Sequence, residues 1–139
     1  MNKRKRIIIA LTIFLIIIGI LFFLFMSRET FTFSLPISED LVSISISNKT
    51  TQKEITDKTE IKDIVNRLEG NGRTTKKESI NDSPVNVEDP IKLEFCFENT
   101  GTSVIYMYIK DDRYYIEQPY NGIYQITYDE YNSIAKYVI

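Results

Sequence analysis

The chain has 139 residues, carries 17 basic and 19 acidic side chains, and contains one cysteine and no histidine. The absence of histidine removes the commonest general base at neutral pH and the commonest metal ligand. The single Cys96 excludes an internal disulfide, a thiolate zinc cluster and a CxxC redox pair. We therefore expect no cofactor and no metal site. Outside residues 3–6 the chain has 13 basic against 19 acidic side chains, and this net charge of −6 argues against a nucleic-acid partner.

Residues 7–26 form a long apolar stretch. Eighteen of these twenty residues are apolar, and the exceptions, Thr12 and Gly19, are small and uncharged. At about 1.5 Å of rise per residue, a helix of this length spans roughly 30 Å, the thickness of the hydrocarbon core of a bilayer. We therefore predict a transmembrane helix. The alternative, a buried helix of a soluble protein, is usually shorter and carries some polar positions.

The charges that flank this helix predict its orientation. Residues 1–6 contain four basic side chains, which the positive-inside rule places in the cytoplasm. The apolar core is longer than the roughly 7–15 residues of a cleavable signal peptide, and its exit, LFFLFMSRE, has large side chains where a peptidase needs small ones. Both features favour an uncleaved signal anchor over a cleaved signal. We thus predict a single-pass protein of the cell membrane with a cytoplasmic tail (1–6), a transmembrane signal anchor (7–26) and an extracytoplasmic domain (27–139). Residues 27–30 span at most about 14 Å, which keeps that domain close to the bilayer.

The first part of the domain predicts three strands. Residues 31–35 form a short strand that a proline ends. Residues 41–47 alternate strictly between apolar and polar side chains, and residues 52–56 return beside them as a hairpin. The side chains of the second strand that we expect to face the core are Val42, Ile44 and Ile46.

The clearest helix of the domain is predicted at residues 57–69. Asp57 and Glu60 have the spacing of a capping box, and Gly70 stands where a left-handed C-cap is expected. The apolar stripe of this helix, at positions i, i+3, i+4 and i+7, consists of Ile61, Ile64, Val65 and Leu68. An amphipathic helix packed on a sheet explains this pattern better than a partner-binding helix.

Residues 71–90 are polar and interrupted by glycine and proline. Their basic cluster, Arg73, Lys76 and Lys77, predicts either a solvated face or a short edge strand, because it is too small for a nucleic-acid patch.

The last part of the chain predicts an antiparallel meander and a helix. Asn121 and Gly122 indicate a two-residue hairpin turn, and Thr127 with Glu130 indicates a capping box for a helix over residues 128–137. The meander strands are predicted at residues 91–98, 102–110, 113–118 and 123–126. The predicted fold class is α+β: a single N-terminal transmembrane helix, then an antiparallel sheet of about five or six strands packed on one face by two helices.

All nine tyrosines lie between residues 106 and 137. Strand alternation places several of them opposite the aliphatic face, where a tyrosine-rich surface suits a peptide, glycan or protein partner. The alternative is that tyrosine, a good strand former, lines the sheet without a partner. We expect this face to be solvated, so that Tyr115→Ala and Glu117→Ala cost little stability. The candidate ligand-binding residues are Tyr106, Tyr108, Tyr115, Glu117, Gln118 and Tyr120.

Residues 114–124, with the sequence YYIEQPYNGIY, resemble a known domain family. The run is similar to the closing signature, close to YxEQPYxGIY, of a family of unknown function found in extracytoplasmic regions of Gram-positive bacterial proteins. The resemblance covers about residues 41–139, and residues 81–84 match a second short motif. It implies an extracytoplasmic domain behind an N-terminal anchor or lipoprotein signal, and it implies no activity.

An enzyme is the competing class of function. Glu94, Glu98 and Glu117 could supply the paired carboxylates of a glycoside hydrolase, but no nucleophile motif, phosphate loop or metal constellation accompanies them. We therefore predict no catalysis. The favoured function is a membrane-tethered binding or regulatory module for a protein, peptide or cell-wall glycan. The alternative is an accessory subunit that contacts another membrane protein through residues 7–26.

Overall fold

The computed structural model describes residues 2–26, 29–99 and 101–139. Ser27 and Arg28 of the predicted tether and Thr100 of a predicted turn lie outside the described residues. The helices are α1 (Lys3–Met26), α2 (Lys58–Leu68) and α3 (Tyr128–Ala135), with a 3-10 turn at Ser38–Asp40. The strands are β1 (Phe31–Phe33), β2 (Leu41–Ser47), β3 (Gln52–Ile55), β4 (Gly70–Arg73), β5 (Lys76–Lys77), β6 (Ile91–Phe97), β7 (Thr102–Lys110), β8 (Arg113–Gln118) and β9 (Gly122–Ile126).

Helix α1 is long and apolar enough to cross a membrane, and among the described residues it alone meets that criterion. Its large apolar side chains are exposed, from 46% at Ile18 to 72% at Phe25. The transmembrane helix predicted at residues 7–26 is therefore present as a helix of suitable length. A signal sequence near the N-terminus satisfies the same criterion.

Seven of the described strands form one antiparallel sheet in the order β3-β2-β6-β7-β8-β9-β5. Strands β1 and β4 pair separately. The α+β class is confirmed, with more strands than the five or six expected. Much of the excess comes from residues 70–77, where the polar sequence forms β4 and the short edge strand β5, one of the two alternatives predicted for its basic cluster.

The core lies between the helices and one face of the sheet, which we call the inner face. Strands β6, β7 and β8 contribute alternating residues such as Leu93, Phe95 and Ile116, all fully buried. The stripe predicted on α2 is buried in the same core, as the helical period requires. Asp57 caps α2 by accepting a hydrogen bond from the Glu60 N–H, and Thr127 and Glu130 form the complete capping box of α3.

The predicted core face of β2 is wrong at its first position. A β-bulge between Leu41 and Ser43 adds one residue relative to β6. Leu41 is therefore fully buried and Val42 is 41% exposed, whereas Ile44 and Ile46 face the core as predicted.

Two predictions based on glycine are also wrong. Gly70 does not form a left-handed cap, because Glu69 is extended after α2 and Gly70 pairs with Phe33 in the ladder. Gly122 belongs to β9 and pairs with Gln118, so the turn consists of residues 119–121 with Tyr120 at φ +61°. Both glycines instead accommodate close neighbours: a Cβ at Gly70 would lie 2.6 Å from the Arg73 guanidinium, and one at Gly122 2.8 Å from the Lys76 side chain.

Candidate functional site

The tyrosines predicted as a binding face lie on β7 and β8, on the side of the sheet opposite the helices. Tyr108 pairs with Tyr115 and Tyr106 pairs with Glu117, so alternation directs all four away from the core residue Ile116. The rings of Tyr108 and Tyr115 stack with 5.7 Å between centroids and 30° between planes. The structure thus brings these four residues together on what we call the outer face of the sheet.

Three of these side chains are buried, in contrast to the solvated face expected from alternation. Tyr108 is 4%, Tyr115 7% and Glu117 4% exposed. The physical reason is residues 76–90, which we call the strap. After β5 the strap turns over the outer face and buries Ser79, whose hydroxyl donates a hydrogen bond of 2.7 Å to Glu117 Oε1.

The second carboxylate oxygen of Glu117 is also occupied. The Tyr108 hydroxyl donates to Glu117 Oε2 at 3.0 Å. Burial, and then the nearby Glu117 carboxylate, raise the pKa of Tyr108 well above its usual range. Tyr108 therefore remains a neutral donor throughout the physiological range, and Glu117 is held between the strap and the sheet.

The last two predicted residues lie at the turn that follows β8. Tyr120 is 67% exposed, and its hydroxyl donates a hydrogen bond of 2.5 Å to Asp82 Oδ1 of the strap. This hydrogen bond raises the pKa of Tyr120. Gln118 is half-buried and its Oε1 accepts a hydrogen bond of 2.6 Å from Asn121 Nδ2. Both side chains stabilise the turn and the strap.

A small cavity remains open beside the stacked rings. Its volume is about 120 Å³, and its lining comprises Lys77, Tyr108, Lys110, Asp111, Tyr115 and Ile123. Lys77 Nζ lies 5.5 Å from the centroid of the Tyr115 ring, within cation–π range. Within the part of the chain that the structure describes, no carboxylate lies within 4.0 Å of either lysine ammonium. The cavity therefore presents two lysine ammonium groups that form no ion pair, and the Asp111 carboxylate, next to two aromatic rings.

The sequence indicates this cavity only weakly. Lys110 follows Tyr108 on the same face by alternation, which could have suggested a cation beside the rings. Lys77 could not be placed, because its position depends on β5 pairing with β9 rather than on a local pattern.

Arg73, grouped by the sequence with Lys76 and Lys77, has a structural role instead. Its guanidinium lies 2.7 Å from Glu130 Oε1 in a largely buried ion pair and donates to the Leu68 carbonyl at 3.1 Å. Glu130 Oε2 also accepts hydrogen bonds from Thr127, so the Arg73–Glu130 ion pair links β4 to the first turn of α3.

The carboxylates considered for catalysis occupy different environments. Glu94 forms an ion pair of 2.9 Å with Lys92, whose hydrogen bond lowers the pKa of Glu94. Glu98 is exposed, and Glu117 is buried under the strap. Among the described residues no three histidine, cysteine, aspartate or glutamate side chains converge on a metal position.

Comparison with known proteins places this fold in a family. The family DUF5301, described as "Domain of unknown function (DUF5300)", matches residues 29–125. The chain belongs to DUF5301. The expectation of a domain family of unknown function is thereby confirmed, and the match includes residues 114–124, on which that expectation depended.

A solved structure has a similar fold. The NMR structure of the protein from Ruminococcus gnavus is 32% identical to this chain, with a TM-score of 0.59. The match covers 72% of this chain and 99% of that one. No curated protein matches the sequence.

Proposed function

We propose that this DUF5301 protein is a single-pass, membrane-tethered binding module whose domain stands outside the cell. The apolar surface of α1 supports the tether, because a helix with this composition is stable only in lipid or against an apolar partner. The four basic residues before it support a cytoplasmic N-terminus. The similarity of residues 114–124 to extracytoplasmic domains of Gram-positive bacteria supports the same location.

The observation that carries the binding role is the outer-face cavity. Two lysines without a carboxylate partner stand beside two stacked tyrosines in a domain that is otherwise acidic. Unpaired cations at an aromatic surface favour a ligand with an anionic or hydroxyl-rich group, carried by a protein, a peptide or a wall glycan. The cavity is small, so it would hold one group of a larger partner.

The topology is tested with Cys96, the chain's only thiol, which lies half-buried on the outer face. A membrane-impermeant thiol reagent should label it in intact cells, after mild unfolding if required. As a matched control, an Asn2→Cys variant without Cys96 should be labelled only after lysis. Labelling with the opposite pattern would contradict the orientation, and a mature protein that begins near Ser27 would contradict the uncleaved anchor.

The binding site is tested by photo-crosslinking in intact cells. A photoreactive residue at Ile123, which lines the cavity, should give a discrete adduct or attachment to cell-wall sacculi. The same residue at Lys53, exposed on β3 in another part of the sheet, is the control. The Lys77→Glu substitution should abolish the adduct, because it reverses one of the two unpaired charges. Equal crosslinking from both positions would contradict a role for the cavity.

The second candidate function is an accessory subunit of another membrane protein, and the exposed side chains of α1 favour it. Replacing residues 7–26 by an unrelated transmembrane helix separates the two. A binding module retains its function after the exchange, whereas a subunit recognised through the helix loses it. A carboxylate-based hydrolase ranks third, since both oxygens of the buried Glu117 are already hydrogen-bonded.

A further inference from the structure

The point at which the chain enters the domain identifies the end of the sheet nearest the anchor. Helix α1 ends at Met26, and β1 begins at Phe31, which pairs with Arg73. Arg73 in turn contacts Glu130, the third residue of α3. The anchor therefore enters beside the N-terminus of α3. Four connecting residues span at most about 14 Å, so this end of the domain lies near the bilayer if α1 spans it.

An apolar and aromatic surface is exposed at this same end. It consists of Ile109, Tyr114, Tyr128 and Tyr131, which we call the Tyr128 cluster. Tyr128 is 57% exposed, and its ring packs edge-on against Tyr114 at 5.6 Å between centroids. Tyr114 also packs on Tyr131 at 5.1 Å and pairs with Ile109, which is 48% exposed. Tyr128 and Ile109 therefore remain accessible to solvent.

The charges of the β7–β8 turn beside the Tyr128 cluster balance, unlike those of the acidic domain as a whole. The turn between Ile109 and Tyr114 contains Lys110 and Arg113 together with Asp111 and Asp112. Arg73 neutralises Glu130, whereas Asp129 in the first turn of α3 and Asp89, whose charge acts on Tyr131, remain acidic. The β7–β8 turn itself is therefore neutral, and it can approach lipid headgroups without the repulsion that a net charge of −6 would otherwise impose.

We propose that the Tyr128 cluster is a lipid-docking surface that rests in the headgroup layer of the membrane holding α1. Tyrosine is enriched at membrane–water interfaces because its ring is apolar and its hydroxyl is polar. Tyr128 and Ile109 insert among the headgroups, and Arg113 reaches the phosphates. The proposal rests on the tethered topology proposed above. Contact between the Tyr128 cluster and the membrane would fix the orientation of the domain, and with it the position of the outer-face cavity relative to the bilayer.

The experiment exploits the absence of tryptophan from the chain. The full-length protein is reconstituted into phosphatidylcholine vesicles as three separate variants, Tyr128→Trp, Ile109→Trp and Val42→Trp. Val42 is 41% exposed at the opposite end of the sheet, in the bulge of β2, and is the matched control. Lipids brominated near the headgroup should quench the first two tryptophans several-fold more than the third, and the emission of the first two should be blue-shifted.

The outcomes separate this proposal from the proposed function. Labelling of Cys96 in the same vesicles reports whether the domain is anchored and stands outside the bilayer. If Cys96 is accessible and all three tryptophans are quenched equally weakly, the lipid-docking surface is refuted although the anchor stands. If the protein does not remain with the vesicles, the anchor itself is refuted.

Discussion

The two faces of the seven-stranded sheet are covered by different means. The inner face is buried by α2 and α3 and is filled with aliphatic and aromatic side chains. The outer face is covered around Tyr108, Tyr115 and Glu117 by the strap, which is largely irregular and contributes Ser79 to a hydrogen-bonded network. Strand alternation distinguishes the two faces correctly. It does not reveal that the second face is also buried.

This difference has an energetic consequence. Apolar burial on the inner face contributes roughly 25 cal/mol for each Å² removed from water. The hydrogen bonds on the outer face contribute only about 1 kcal/mol each, yet a buried polar group that loses its partner costs about 1–3 kcal/mol. The outer face therefore contributes less to stability than the inner face, but each of its buried polar groups requires a hydrogen-bond partner. Four experiments, by substitution or titration, distinguish the two faces.

The largest effect is expected for Ile116→Ala on the inner face. Ile116 is fully buried in the middle of the sheet, so its truncation leaves a cavity in the core. The free energy of unfolding of a fragment containing residues 29–139 should fall by about 2–5 kcal/mol. Denaturant unfolding measures this change, with cooperative unfolding of the unsubstituted fragment as the control. A loss below about 1 kcal/mol would mean that the core is not packed as described.

The neighbouring substitution Tyr115→Ala tests the outer face. Alternation by itself predicts an exposed side chain and a cost below about 1 kcal/mol. Because Tyr115 is 7% exposed and stacked on Tyr108, we now expect a cost of about 2–3 kcal/mol. The same denaturant measurement decides between the two values. The smaller one would show that the strap is open in solution and that the tyrosine face is available to partners.

Alkaline titration compares one tyrosine from each side of the sheet. Burial and the hydrogen bond to Glu60 raise the pKa of Tyr137 to about 12, and burial raises the pKa of Tyr108 in the same direction. Since the unfolded state loses these protons first, near pH 10, stability is intact below that value and falls as the pH rises towards 12. Tyr137→Phe and Tyr108→Phe should each make the decline in the unfolding midpoint shallower. An unchanged slope in both variants would contradict the raised pKa values.

The smallest effect is expected for Tyr120→Phe at the edge of the strap. The substitution removes an exposed hydrogen bond to Asp82, so the midpoint of global unfolding should not change measurably. Residues of the strap should nevertheless exchange their amide hydrogens faster, because the hydrogen bond that holds Asp82 to the turn after β8 is lost. Ser79→Ala, which removes the buried attachment, is the comparison and should accelerate exchange more. Equal exchange in all three proteins would show that the strap is held by other contacts.

The sequence predicts much of this fold because its strongest signals are local. Alternation with a period of two follows from the backbone of a strand, so the core positions Ile44 and Ile46 of β2 follow from the sequence. The α2 stripe and the Thr127–Glu130 capping box follow from the helical period in the same way. The apolar run of residues 7–26 depends only on length and composition. Of the six candidate site residues, the juxtaposition of four on neighbouring strands also follows from these rules.

Other features of the fold depend on tertiary structure and cannot be predicted from local sequence patterns. The bulge at Val42, the β-strand role of Gly70 and the Arg73–Glu130 pair all depend on which segment lies alongside another. The strap is the clearest case: Ser79 and Glu117, like Asp82 and Tyr120, are separated by 38 positions, and nothing in the intervening sequence specifies that they meet. Local patterns determine which way a side chain points, whereas only the path of the distant chain determines whether solvent, protein or lipid covers it.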